Sequence, residues 1–480
     1  MTTRDIHGAP RAKVTIGLAA LCAQWFEEVG LRGSDMAATL STDYDAMVQL
    51  LSRIFGKVVV PGVISTPEEA VNAVDLFRRE QIDALLLVHI MWSEDQPLLE
   101  ILRGCEGVPL LLWNYHPTGS LPARLSVQDV FRFSGTVGML QGSAPMQRLG
   151  LTAVMIAGTP GDPDLTSELE QYAAALRIHN AFRSMRAGRI AGRCEAMTGT
   201  HVDPEALSQR LGVTLVEISA AEYAAACVAV ARDRVEAWSA ELARQYKVSG
   251  VSAGALQLAC RNALALDDLV VLYDLAVLAI QDLDPELHRL AGIRPCLYPP
   301  QCARRNVAIA MESDLTTGLG MLVTMRAAAA PALYTELFTF DPRANLLLMG
   351  HAAAHDPRLA DADGVTLVPD GEYRQTDAHE GVWQEFIMRK GPVTCVSLYD
   401  TGQDYRMVAF DGVSIGAPRR IEGFAHAAVM PDVPVAQLVL RLVQRGMTQH
   451  FAVVPGRIVP ILRHWCALSG VEFVWESVSL

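Results

Sequence analysis

The sequence predicts an α/β protein in which two doubly wound parallel-sheet units are followed by an antiparallel β domain, a barrel or a sandwich. Three observations carry this. In the first third, apolar strand-like runs alternate with helix-like runs, the pattern of a parallel sheet covered by helices on both faces. The alternation resumes after a long helix predicted over 166–186. From about residue 330 the strands become short and alternating, with Gly, Asp and Pro turns between them, which is antiparallel texture. At 480 residues the chain is also longer than one hydrophobic core usually serves.

The elements follow in order. "KVTIGLA" opens the first sheet, and after a helical stretch near 42–54 come "KVVVPG", "IDALLLVHIMW" and "VPLLLWNYH" as further strands. Between them, Thr66 precedes Pro67, Glu68 and Glu69: a capping hydroxyl, proline at the first helical position and acids in the first turn start a helix. In such sheets ligands collect at the carboxyl ends of the strands, where Trp92, Trp113, Asn114, Tyr115 and His116 lie. Aromatic faces interleaved with hydrogen-bonding groups suit a sugar pocket; tryptophans at strand ends also serve as lids on a core. The second unit runs through "GRIAGRC", "VTLVEIS", helical regions near 221–245 and 254–282, and a strand over 306–311. Beyond 330 come "ALYTELFTFD", "ANLLLMGH", "GVTLVPDG", "GPVTCVSLYD" and "YRMVAFDGVSIG", closed by an α/β-like pair from 435 to 476.

Net charge is −13 and the 40 basic residues are scattered, which excludes nucleic acid and anionic membrane as the main partner. The nine cysteines are widely spaced without a C-x-x-C pair, the usage of a reducing compartment. Charges interrupt the apolar part of the N-terminus, and Asp274 and Asp282 break the most apolar later segment, so neither a signal peptide nor a membrane span is expected. These features predict a cytoplasmic protein.

The stretch "NVAIAMESDLTTGLG" carries the chemistry, because a buried-looking strand ends directly in a carboxylate, Glu312. Acids are depleted in strands and rarely buried without a partner. Glu336 follows in "YTELFTF", His351 ends "LLLMGH", and His450 sits in "MTQHFAVVPG". Two carboxylates and two imidazoles suit a divalent cation of the Mn²⁺, Co²⁺, Fe²⁺ or Mg²⁺ type. Taken singly, each has an ordinary reading as a core or surface residue. Asp314 reads as a cap for the following helix. His355, four residues after His351, lacks the glutamate of an H-E-x-x-H site and reads as a loop histidine. Two G-x-S-x-G matches, around Ser252 and Ser414, lack the strand–turn–helix setting of a nucleophile elbow, and Gly318-Leu-Gly320 fails the dinucleotide fingerprint at Val323.

The order of these segments resembles the L-arabinose/L-fucose isomerase family. The resemblance rests on "GIRPCLYPPQCARRNVAIAMESDLTTGLGMLV" (292–323), Glu336 in "TELFTFD", His351 in "NLLLMGH", "KGPVTCVSLY" (390–399), "GMTQHFAVVPG" (446–456), and two earlier stretches at 133–150 and 192–218. The chain departs from the family at His351-Ala-Ala, where the family often has His-Cys-Gly, and at Gln449-His450, where arabinose isomerases carry two histidines. The resemblance implies two Rossmann-like doubly wound domains, 1–165 and 166–328, and a C-terminal antiparallel β-barrel domain, 329–480. It implies an intramolecular oxidoreductase that interconverts an aldose and a ketose through a cis-enediol, with Mn²⁺ or a similar ion held by Glu312, Glu336, His351 and His450. Glu312 and Glu336 would shuttle the proton, and Trp92, Trp113, His116 and Gln449 would meet the sugar. A homo-trimer or homo-hexamer is implied, the N-terminal domain of one subunit completing its neighbour's site. The rivals are the same fold and metal acting on a modified or branched sugar or as an epimerase, and a non-catalytic sugar-binding homologue.

Overall fold

A computed structural model describes residues 14–26, 36–372 and 381–477. Residues 1–13, on which the reading of the N-terminus partly rests, lie outside the described residues. By internal contacts the chain divides into two compact units, residues 9–180 and 181–480.

The first unit holds a parallel sheet: β1 (Val14–Leu21), β2 (Gly56–Val59), β3 (Val63–Ile64), β4 (Ala84–His89), β5 (Leu110–Tyr115) and β6 (Val154–Gly158). Its order is β2-β1-β4-β5-β6, with β3 also against β1. The strands are near-continuous apolar runs because both faces are covered; β4 is buried at every position. Thr66 caps its helix as expected: its side chain accepts from the Glu69 amide while Glu69 reaches back, and Pro67 is the first helical residue.

The second unit begins with another parallel sheet, β11-β10-β7-β8, from β7 (Arg186–Ile190), β8 (Thr214–Ile218), β10 (Leu275–Ile280) and β11 (Ala308–Met311). Here the expected helix over 254–282 is corrected. The helix stops at Tyr273, Asp274 turns into the left-handed region at φ 55°, and 275–280 becomes the central strand β10. A long apolar run has no periodicity to separate buried helix from buried strand, and only the short side chain of Asp274 marks the break.

The remaining strands are β12 (Leu333–Asp341), β13 (Leu346–Gly350), β16 (Gly391–Asp400), β17 (Tyr405–Ser414), β18 (His426–Pro431) and β19 (His450–Pro455). They pair antiparallel in the order β16-β19-β12-β13-β18-β17, and β17 returns to β16, closing a six-stranded barrel. β20 (Glu472–Glu476) lies parallel outside β17, so the terminal α/β-like pair joins the barrel sheet. A small sheet combines β9 (Lys247–Val248), β14 (Thr366–Pro369) and β15 (Val382–Glu385).

The helix Leu315–Ala328 joins the second parallel sheet to the barrel, touching β10 and β11 on one side and β16 and β19 on the other. It is buried all round from Leu315 to Met325, as a helix between two apolar layers must be. Gly318 and Gly320 permit the approach: a Cβ would come within 2.8 Å of Val277 at the first and 3.0 Å of Leu398 at the second. The Gly-Leu-Gly stretch is thus a packing feature. No helix among the described residues is long and apolar enough to cross a membrane.

Candidate metal centre

Barrel register assembles three of the four expected ligands. On β12, Glu336 stands directly opposite His450 on β19 and, on its other side, opposite Gly350 on β13. Cross-strand partners have Cβ atoms about 5 Å apart, so one rank of the barrel brings Glu336 and His450 together with His351, the residue after Gly350. Glu312 arrives from the parallel sheet, at the carboxyl end of β11.

The backbone there is strained. Glu312 and the following Ser313 both sit at φ 56°, a region that costs a non-glycine residue roughly 1–3 kcal/mol each and persists only where the surroundings enforce it. The enforcement is visible. The Glu312 amide donates to Asp282 Oδ1 at 2.7 Å, the Ser313 amide to Ile280 O at 3.0 Å, and the Ser313 hydroxyl to Gly192 O. Asp282 is itself fully buried and ion-paired to Arg294 at 2.5 Å, and Arg294 also meets Glu372.

Glu312, Glu336, His351 and His450 each offer a ligand atom within 4.8 Å of the others. His450 Nε2 is 3.0 Å from Glu312 Oε2 and 3.7 Å from Glu336 Oε1; His351 Nε2 is 3.8 Å from Glu312 Oε1. Yet Glu312 Oε2, His450 Nε2 and both ring nitrogens of His351 are buried without a properly aligned hydrogen bond. Buried polar atoms normally find partners. Four converging donors left unsatisfied fit a cation, and a mixed carboxylate–imidazole set suits a divalent first-row metal. The cluster can therefore hold a metal.

Electrostatics agree. Burial disfavours the charged Glu312, but His351 and His450 outweigh it and hold the carboxyl well below the usual range. Burial likewise opposes a charge on His450, and the carboxylates of Asp314 and Glu312 overcome it, raising the imidazole to about 10. Asp314 is depressed against its own burial, chiefly by His450.

Asp314 caps its helix as expected, accepting from the Thr317 amide at 2.9 Å. It does more: its Oδ2 accepts from His450 Nδ1 at 2.8 Å and from the Thr317 hydroxyl at 2.7 Å. An Nδ1–H donated to Asp314 leaves Nε2 as the lone-pair nitrogen facing the cluster, the carboxylate–histidine arrangement of many metal sites. Tyr334 is a second unforeseen member. Its ring centroid lies 4.9 Å from both imidazoles and its hydroxyl donates to Met311 O. The signal was present, since Tyr334 precedes Glu336 by two on one strand and shares its face.

The other expected residues are placed as follows. His355 donates from Nε2 to the His351 carbonyl at 2.9 Å, and burial pushes its imidazole down to about 3, so it is a neutral brace behind the ligand loop. Gln449 is exposed beside His450 and its amide contacts Met197 Sδ. In the first unit, Trp92 donates to Gln141 Oε1 at 2.8 Å, His116 is bonded to Thr118 O, and Trp113 is 1 % exposed, donating to Gly158 O. Neither G-x-S-x-G serine is a nucleophile elbow: Ser252 caps the helix Ala253–Tyr273, and Ser414 ends β17 with its hydroxyl on Met388 O.

No family model matches the chain. A curated relative, the sulfoquinovose isomerase of Alkalicoccus urumqiensis, is 23% identical over 204 residues, 42% of this chain. The similarity is to a sugar isomerase. The match spans 44% of that relative's length, less than half of it. Among solved structures, a periplasmic solute-binding protein of an ABC transporter from Actinobacillus succinogenes 130z with bound D-allose is 10% identical, covering 58% of this chain and 81% of its own, at a TM-score of 0.16. The fructose-binding periplasmic domain of a hybrid two-component system is 12% identical, covering 57% and 73%, at a TM-score of 0.14. At such scores neither carries an argument about fold or ligand.

Proposed function

We propose that the chain is a metal-dependent isomerase that interconverts an aldose and a ketose. The observation that carries this is the convergence of Glu312, Glu336, His351 and His450 with buried, unpaired donor atoms; the relative's name adds the sugar. A bound divalent ion, Mn²⁺ being the first candidate and Co²⁺, Fe²⁺ and Mg²⁺ the others, supplies Lewis-acid polarisation of the two sugar oxygens and so acidifies the C2–H bond. Glu312 and Glu336 carry the proton. One carboxylate takes it from C2, a cis-enediol forms, and the proton is delivered to C1 while the hydroxyl proton passes from O2 to O1. Asp314 holds His450 in one tautomer, and Tyr334 closes the floor between the imidazoles. Gln449, Trp92 and His116 are proposed sugar contacts, with the buried Trp113 supporting the strand end beneath them.

The organisation that goes with this reading is three domains, 1–165, 166–328 and 329–480, in a cytoplasmic homo-trimer or homo-hexamer whose N-terminal domain completes a neighbouring site. A second reading, the same chemistry on a modified sugar, is favoured by the relative, which is named for a sulfonated hexose. Both are tested by incubating the Mn²⁺-loaded protein in deuterated water with tetroses, pentoses, 6-deoxyhexoses and sulfoquinovose. Deuterium entering C1 of the ketose or C2 of the aldose is the expected result. No exchange with any of them, in a protein that retains stoichiometric metal, would refute the isomerase reading.

A further inference from the structure

The cluster opens on one side. The side chains of Glu312, His351 and His450 are 8%, 4% and 0% exposed, whereas that of Glu336 is 28% exposed. Substrate therefore approaches past Glu336, and the next large ring on that approach is Phe338.

Phe338 is held where it is by a local irregularity. The pairing of β12 with β13 runs Leu337 to Met349 and then Thr339 to Leu348, leaving Phe338 as an extra residue in a bulge. Bulges beside functional sites re-aim a side chain. Here the ring is turned back over Gly350: a Cβ at that glycine would stand 3.2 Å from Phe338 Cε2. Gly350 is the residue opposite Glu336 and immediately before His351, so the ring is drawn toward the cluster while remaining 43% exposed.

The ring is also backed. Phe424 packs against Phe338 with centroids 5.5 Å apart, and Trp383 packs edge-on behind Phe424 at 5.5 Å. The loop bearing Phe424 is clasped by His426, which lies opposite Gly350 on β18. His426 Nε2 accepts from the amides of Arg420 and Ile421 at 2.9 and 3.3 Å, and Nδ1 donates to Phe424 O at 3.2 Å. Glu385 accepts from the Gly423 amide at 2.7 Å. One barrel rank thus fixes a ligand carboxylate, a glycine cradle and the clasp for a second aromatic ring.

We propose that Phe338, backed by Phe424, is a specificity-determining platform that receives the carbon chain of the aldose beyond C3, stacking on its C–H face. This rests on the isomerase reading and names its substrate class: an aldose of five or six carbons, since a four-carbon sugar held through O1 and O2 ends before the ring. A neutral aromatic face packs against C–H groups and makes no demand on charge.

The test uses alditols, which bind without turnover, so that binding is read apart from catalysis. Titration calorimetry on the Mn²⁺-loaded full chain compares a four-carbon with five- and six-carbon alditols for wild type, Phe338→Ala and Phe424→Ala. The four-carbon compound sets the baseline for each protein. The expected result is that the wild-type preference for the longer alditols shrinks about five- to tenfold in Phe338→Ala and less in Phe424→Ala. An undiminished preference in Phe338→Ala overturns the platform. So does a preference left intact while the variant changes its oligomeric mass, which would make the ring a subunit contact. Should the preference collapse as expected while no sugar exchanges deuterium, the platform stands and the isomerase reading falls. Absence of any alditol binding by wild type overturns both.

Discussion

Glu312 is a carboxylate that folding has charged in advance, and this makes its substitution informative. Replacing Glu312 or Glu336 with Gln removes a proton carrier while keeping shape, so turnover should fall by at least about 10²-fold with circular dichroism unchanged. Near wild-type exchange at C2 in either variant would remove that residue from the proton path. His450 gives a pH dependence whose sign is set by its raised imidazole. Without metal it keeps a proton up to pH of about 10, which stabilises the fold below its ordinary range and is lost as pH rises toward that value. A cation must displace that proton, so Mn²⁺ affinity should climb by up to about tenfold per pH unit across neutrality, with close to one proton released. Calorimetry in buffers of different ionisation enthalpy at pH 6, 7 and 8 measures this, and a flat affinity would argue against His450 as a ligand. The four ligands were legible because each is a chemistry-bearing residue at a strand end. The second role of Asp314 was not: its partner His450 is 136 residues away, and a cap needs no further reason to be acidic.

At the scale of elements, the helix Leu315–Ala328 is the hinge between what the sequence displays and what it hides. Its start was readable from Asp314 and the Thr-Thr that follow, and its burial from the unbroken apolar run. That it is pressed between two sheets was not, since packing glycines and turn glycines look alike in a chain. Its far end shows a correctable strain. Ala329 occupies the left-handed C-terminal position at φ 48° and is exposed. Glycine is favoured there, so Ala329→Gly should stabilise the protein by about 0.5–1 kcal/mol, read as a higher denaturant midpoint at constant slope. A lower midpoint would mean that the alanine methyl makes a contact worth more than the backbone strain. Strand β10 illustrates the opposite failure: uniformly buried strands and helices are both written as apolar runs, and the break at Asp274 is one residue wide.

For the molecule as a whole, all four candidate ligands belong to the compact unit 181–480, and none to 9–180. Metal should therefore slow hydrogen exchange chiefly at the ends of β11, β12, β13 and β19, and leave the sheet of β1 to β6 with little change. Equal protection of both units by Mn²⁺ would show that the ion is bound elsewhere or couples them. The closed barrel has a further consequence, for how the protein is made. β12 finds its neighbour β19 only when residues 450–455 exist, because Leu333 pairs with Val453 and Glu336 with His450. During synthesis the chain emerges with Glu312, Glu336 and His351 long before the strand that aligns them. A ribosome-bound intermediate consequently lacks a quarter of its coordination set and the frame that shapes the rest. Metal selection is deferred to the end of translation, when geometry as well as ligand type can discriminate between ions.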